Sequence, residues 1–208
     1  MGEQRLNRNL EAAIAALRAG ELVVYPTETF YGLAADPESS ASMEALLSLK
    51  GRDPDKPIAL IAADSESAFA LAREIPLDAR RLAAAFWPGP LTLVLPARPG
   101  LHPALVGAGG VGVRVSSHPL ARALAAGLGR PITATSANLA GQPPISAPDQ
   151  LRAVFADKIK VILEDGILSG GAPSTVIEFV HNNYRIVRPG AIAEPVIAEA
   201  LTATGAPR

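Results

Sequence analysis

The groups in this sequence with chemistry to offer are cations and hydroxyls gathered where apolar runs end. Lys50-Gly51-Arg52, followed by Lys56, flanks a glycine with two cations, so both can turn toward one anion. Lysine offers a compact point charge there, and arginine a planar fork that matches phosphate or carboxylate. Thr133-Ala134-Thr135-Ser136-Ala137-Asn138 puts three hydroxyls and an amide at the end of a strand-like run. Arg114 stands inside Val113-Arg114-Val115 and needs a partner if it is buried. Ser174-Thr175 enters a late strand, and Arg188-Pro189-Gly190 leaves the last one. Tyr25-Pro26-Thr27-Glu28-Thr29-Phe30-Tyr31-Gly32-Leu33 follows the first strand, a placement where open α/β sheets bind ligands. Taken singly, these segments have structural readings: a Lys C-cap in a solvated cluster, or threonine hydroxyls bonding backbone in a turn. Taken together they supply cations with hydroxyls between them, and neither a carboxylate pair nor a Ser–His pair. Such a set suits binding a polyphosphate and a small carboxylate, with catalysis by positioning and charge neutralisation. An adenylate-forming reaction fits: an acid attacks the α-phosphate of ATP and pyrophosphate leaves. Mg2+ would then be held mainly by phosphates, and no protein metal site is expected.

Other motifs offer less. Gly107-Ala108-Gly109-Gly110-Val111-Gly112 matches GxGxxG, but a dinucleotide fingerprint follows a strand and opens a helix. Here the glycines precede a strand, which reads as a flexible loop. There is no GxxxxGK[ST] and no GxSxG. His102, His118 and His181 are far apart, without the spacing of a zinc site, and two of them precede proline as turn residues do. The absence of cysteine removes disulfides, thiolate metal sites and Cys nucleophiles. Phe86 and Trp87, in Phe86-Trp87-Pro88-Gly89-Pro90, read as core filling beside a rigid turn and not as an adenine platform.

The elements that must position these residues alternate between helical and extended signals, as in an α/β fold. Asn9 is read as the cap of a helix carrying Leu10, Ile14 and Leu17, ended by Gly20. Ser42 is read as the cap of a second helix that Gly51 breaks, with further helices over 68–74, 79–86, 119–127 and 192–201. Strands are expected at 22–25, 58–62, 91–95, 111–115, 132–135, 161–163, 175–179 and 185–187. A Gly-, Pro- and Ser-rich loop over 140–148 precedes a short helix. The last three strands lack full helices between them, so part of the sheet is antiparallel. The expectation is a twisted, mixed parallel/antiparallel α/β sheet of about seven strands with flanking helices, in a single domain over 1–208.

Length and composition agree with that reading. The chain has 208 residues, 49% hydrophobic and 19% charged, with much of the apolar content alanine. Those proportions describe a packed core and not a disordered chain. Lys and Arg number 19 against 20 Asp and Glu, a net charge of −1 that excludes a uniformly basic nucleic-acid coat but not a local basic cleft. No apolar run reaches the length of a membrane span, and the start carries neither a secretory h-region nor a myristoylation signal. A cytoplasmic protein without membrane attachment is expected.

In combination, these residues resemble the YrdC-like threonylcarbamoyl-AMP synthase family in its short single-domain form. The likeness runs from Gly20 to Gly190. It rests on YPTETFYGL (25–33), Lys50-x-Arg52 with Ser136-x-Asn138, FWPGPLTLVL (86–95), VGVRV (111–115) before His118-Pro119, and PSTVIEF with RIVRPG. The resemblance implies condensation of L-threonine, bicarbonate and ATP into threonylcarbamoyl-adenylate with release of pyrophosphate. A threonylcarbamoyl transferase complex would take the product to adenosine 37 of tRNA, with at most weak tRNA or RNA contact by this chain. Carried over, Thr29, Arg114, Ala134, Ser136 and Ser174 would hold threonine, the arginine taking its carboxylate. Lys50, Arg52, Lys56, Gly110, Asn138, Pro144 and Arg188 would face ATP. Lys50, Arg52, Ser136 and Asn138 would form the catalytic set. Relatives often carry asparagine and histidine where this chain has Lys56 and Ile61, and a serine where it has Pro144. Two rival readings are a carbamoyl-adenylate-forming domain and an RNA-binding or ribosome-maturation module.

Overall fold

The computed structural model describes residues 2–51, 56–139, 141–155, 158–180 and 183–202, with side chains from residue 8 onward. Short runs rich in valine, leucine and isoleucine form strands, as their β-propensity and length dictate. These are β1 (Val23–Pro26), β2 (Tyr31–Ala34), β3 (Ala59–Ile61), β4 (Leu91–Leu95), β5 (Val106–Gly107), β6 (Gly110–Arg114), β7 (Ile132–Ser136), β8 (Val161–Ile162), β9 (Thr175–Val180) and β10 (Asn183–Arg188). The helices are α1 (Gly2–Arg18), α2 (Ser40–Lys50), α3 (Ser65–Phe69), α4 (Leu77–Phe86), α5 (Pro119–Leu128), α6 (Pro148–Phe155) and α7 (Glu194–Thr202).

One sheet runs β10-β9-β4-β6-β3-β7-β2-β1-β8, with β5 paired to β6. The β1/β8, β3/β6 and β4/β9 pairs are parallel and the rest antiparallel. The mixed sheet is as expected, but the described residues form ten strands against about seven expected, two of them outside the eight segments read as extended. One addition, β2, lies inside the segment read as a turn after the first strand; the chain reverses within 27–30 and returns against β1. The other, β5, turns the glycine-rich segment from a loop into a hairpin in which Gly107 faces Gly110 across two residues. Gly110 has φ 119, and a Cβ there would lie 1.9 Å from the Leu95 carbonyl oxygen, so only glycine fits.

Helix starts differ from the sequence reading in three places. The first helix begins at Gly2, so Asn9 lies within it and not at its cap. The α2 cap is Ser39, whose side chain accepts from Ser42 N–H, while the Ser42 hydroxyl is buried and donates to Gly20 C=O at 2.9 Å. The helix placed over 68–74 is instead α3, started by Asp64, whose capping box with Ser67 outweighs the alanine-rich stretch behind it. Gly51 closes α2 in the left-handed conformation, as expected.

The two faces of the sheet are buried unequally. Leu60, Leu93, Leu95, Val111, Val113 and Thr133 are buried on one face, packed with Met43, Leu46 and Leu82 from α2 and α4. Among the described residues the opposite face is closed at one side, where Leu17, Leu124, Ala121 and Ala13 of α1 and α5 cover Val23, Tyr25, Ile61 and Ile132. Along the rest of it Ala59, Val94, Gly112, Ala134 and Val176 stay half-buried, although all lie on paired strands. Trp87 belongs to the core, its indole N–H donating to Leu91 C=O at 2.7 Å and its ring lying 5.7 Å from Phe69.

Candidate active site

The open face has a floor of small residues. Ala59 of β3 pairs with Ala134 of β7, and a Cβ on Gly112 of β6 would sit 3.4 Å from the Ala59 Cβ. Side chains alternate along a strand, so Arg114 and Gly112 share this face, as do Ile132, Ala134 and Ser136. Thr92 and Val94 of β4 join them through the Val94–Gly112 pairing. A shallow floor across central strands, rimmed by longer polar side chains, is a natural ligand trough.

The candidate residues thus line a face of the sheet and not one carboxyl edge. Arg114 and Ser136 both end strands, but β3 is parallel to β6 and antiparallel to β7, so those two ends point opposite ways. The rule for open parallel sheets has no single carboxyl edge to act on here, because the sheet is mixed.

Arg114 is buried, and its partner is Glu28 from the β1–β2 turn, bonded through Nη1 to Oε1. The second carboxylate oxygen accepts from the Ser116 hydroxyl at 2.5 Å. Burial pushes the Glu28 pKa up, but the Arg114 charge and hydrogen bonds from Ser116, its own backbone and Arg114 outweigh it, leaving the pKa below the usual carboxylate value. Tyr25 lies beneath, fully buried, its hydroxyl donating to Thr133 C=O at 3.0 Å. Burial holds its proton on, against the pull of Arg114.

His118, which the sequence offered only as a turn residue, lies beside this pair. Its Nδ1 accepts the Leu120 N–H at 3.3 Å to cap α5, and its Nε2 is 3.0 Å from Asp165 Oδ2. Burial lowers its pKa in spite of Asp165, so the ring is neutral near pH 7, with the proton assigned to Nε2 by the cap. The imidazole lone pair is thus occupied.

At the neighbouring rim, Arg188 donates to the Ser174 carbonyl at 2.9 Å and to its hydroxyl at 2.9 Å. That hydroxyl shares a hydrogen bond of 2.8 Å with Thr92. Burial, and after it the charge of Arg114, lower the proton affinity of Arg188, so the two guanidinium groups feel each other.

A third polar group gathers at the far end of β7. Lys50 Nζ donates to Ser136 C=O at 2.9 Å, Asn138 C=O at 2.8 Å and Asn138 Oδ1 at 2.6 Å. Ser136 Oγ donates to the same amide oxygen at 2.5 Å, and Asn138 Nδ2 donates to Gln142 C=O at 2.5 Å. The Lys50 and Ser136-x-Asn138 motifs, 86 residues apart, thus form one knot.

The remaining candidates are more scattered. Thr29 is half-buried beside Glu28, its carbonyl accepting from Gly170 N–H at 2.9 Å. Gly110 lies at the opposite end of β6 from Arg114, and Pro144 and Lys56 are exposed. Arg52 lies outside the described residues. Glu28, Thr92, Ser116, His118 and Asp165 were not picked out from sequence. Glu28 had a double signal, as an acid inside YPTETFYGL and as a partner for an arginine in a strand; Thr92 and His118 lay within motifs of the resemblance, and Ser116 and Asp165 had no signal.

The Sua5/YciO/YrdC family model, described as telomere recombination, matches residues 15–190. A threonylcarbamoyl-AMP synthase from Chromohalobacter salexigens is 41% identical over 166 residues, covering 79% of this chain and 89% of its own. One from Vibrio vulnificus is 39% identical over 171 residues, covering 81% of this chain and 92% of its own. The crystal structure of Pyrococcus abyssi Sua5 complexed with L-threonine matches with a TM-score of 0.87 at 36% identity, over 93% of this chain. This chain spans 57% of the length of that protein. With the mixed sheet, the open trough and the motifs in register, the chain belongs to the Sua5/YciO/YrdC family.

Proposed function

We propose that this protein is an L-threonylcarbamoyladenylate synthase, acting as one domain. The observation that carries the reading is the pair of arginines on one face, Arg114 and Arg188, with the Ser174 and Thr92 hydroxyls at the rim. Two guanidinium forks on one face, one paired with an acid and one held only by a carbonyl and a hydroxyl, suit a ligand pair made of a small carboxylate and a polyphosphate. The threonine carboxylate takes Arg114, with Thr29, Ala134, Ser136 and Ser174 lining its pocket. The ATP phosphates take Arg188 and the Lys50–Asn138 knot, with Arg52, Lys56, Gly110 and Pro144 as further contacts.

The amine of threonine and bicarbonate give a carbamate and water. A carbamate oxygen then attacks the α-phosphate, and pyrophosphate leaves. Lys50, Arg52, Ser136 and Asn138 act by placing the phosphates and balancing their charge. Lys50 does so partly through the chain, since its ammonium fixes the Ser136–Asn138 turn. His118 is not the base for the amine, because its Nδ1 lone pair accepts the Leu120 N–H that caps α5; bicarbonate or the substrate itself takes that proton. Mg2+ would be held mainly by the ATP phosphates, where it would help to balance their charge. Among the described residues no cluster of three His, Asp or Glu side chains could hold an ion, and no helix is long and apolar enough to cross a membrane. The product passes in the cytoplasm to a threonylcarbamoyl transferase complex that modifies position 37 of tRNA.

The test is pyrophosphate release from ATP, Mg2+ and bicarbonate, with and without L-threonine. Release that depends on threonine is expected. Release without threonine, as in carbamoyl-adenylate chemistry, or none at all, overturns the reading.

A further inference from the structure

Arg114 has one hydrogen-bonded side-chain partner among the described residues, and it is an acid. We propose that Glu28 sets the substrate class of this pocket: fixed by Ser116, it orients Arg114 and cancels its charge, so that the guanidinium accepts the carboxylate of a zwitterionic amino acid and refuses a polyphosphate. This rests on the reading that Arg114 receives the threonine carboxylate.

The geometry supports a positioning residue and not a blocked site. Glu28 uses one carboxylate oxygen on Nη1 of Arg114, and its other oxygen is held by Ser116. A guanidinium has five N–H donors, so a second edge remains to meet an incoming carboxylate. The acid is anchored on every side. Ser116 Oγ also accepts from His118 N–H at 3.2 Å, and the Glu28 carbonyl accepts from the Ser169 hydroxyl at 2.7 Å. The side chains of Arg114 and Glu28 are 10% and 17% exposed, so water and salt screen them weakly.

Charge then selects the ligand. Arg188, which Arg114 repels, has only the carbonyl and hydroxyl of Ser174 as partners among the described residues. Without Glu28, the two arginines would form one doubly positive site that pyrophosphate or the ATP phosphates could bridge. With Glu28, the Arg114 half is close to neutral and matches a ligand that is itself neutral overall. Selectivity comes from the paired acid as much as from the arginine.

The experiment compares wild type with Glu28→Gln, which keeps the shape and loses the charge. The threonine KM is expected to rise roughly tenfold to a hundredfold, the scale of a charge-assisted hydrogen bond, with a much smaller change in kcat. Pyrophosphate is expected to become competitive with threonine in the variant and to be non-competitive in wild type. Glu28→Asp, which retains the charge, should keep the wild-type inhibition pattern even where its shorter reach raises KM. An unchanged threonine KM in Glu28→Gln, or pyrophosphate still non-competitive there, overturns the proposal. Should Glu28→Gln fail to fold, Ser116→Ala frees one carboxylate oxygen and should raise the threonine KM several-fold; an unchanged value again overturns it. Wild type without threonine-dependent pyrophosphate release would instead sink the functional reading itself.

Discussion

Arg114 and Arg188 carry the same charge on the same face of the sheet and differ in what holds them. Arg114 is buried and bonded to a carboxylate; Arg188 is the more exposed and bonded to a carbonyl and a hydroxyl. The first is a sheltered, nearly neutral pair, and the second keeps its charge for a ligand. Position on the sheet decides this. Arg114 ends a central strand covered by the β1–β2 turn, whereas Arg188 ends an edge strand, where water can solvate an unneutralised cation.

The largest effect should follow from removing Arg114. Arg114→Ala leaves Glu28 buried without its counter-charge and should cost about 3–5 kcal/mol in urea denaturation, with loss of threonine-dependent turnover. Adding Glu28→Gln to it should recover part of that stability, because deleting both partners leaves no orphaned charge. Equal stability of the single and double variants would erase the contrast. Arg188→Ala should change stability by less than about 1 kcal/mol, as for an exposed side chain, while raising the KM for ATP roughly tenfold or more.

Acid should separate the two arginines further. Glu28 and His118 both hold protons less readily in the folded chain than in the unfolded one, so the unfolded chain binds more protons and stability falls as pH falls. The His118 contribution is complete above its ordinary value of 6.5 and is lost as pH drops below it toward the depressed folded value. That of Glu28 is complete above 4.5 and lost below. Denaturation followed against pH should show both losses in wild type and only the upper one in Glu28→Gln. The smallest effect expected is that of salt: from about 0.05 to 0.5 M it should raise the KM for ATP several-fold and that for threonine less than twofold, since screening reaches only the open cation.

Much of this arrangement is legible in the sequence. Lys50, Ser136, Asn138, Arg114, Ser174 and Arg188 announce themselves as polar groups at the ends of helices and strands. The α/β alternation also reads directly, because apolar runs of strand length and their glycine and proline breaks are local properties. What was not legible is relational. Glu28 in a turn looks like any solvated acid until β2 folds back and lays it on Arg114. His118 reads as a turn residue until the 163–168 segment brings Asp165 alongside. The trough itself could not be foreseen, since Ala59, Gly112 and Ala134 mean nothing singly and become a floor only through register.

The strand order has a consequence for how the protein is made. β4 pairs on one side with β6, close behind it in the chain, and on the other with β9, which leaves the ribosome long afterwards. Until Thr175–Val180 emerges, the nascent chain presents Leu91–Leu95 as an unpaired apolar strand edge, and Arg188 does not yet exist. Chains halted before that point are expected to bind hold-type chaperones and not nucleotide, because the trough is completed only once Thr175–Arg188 has been made.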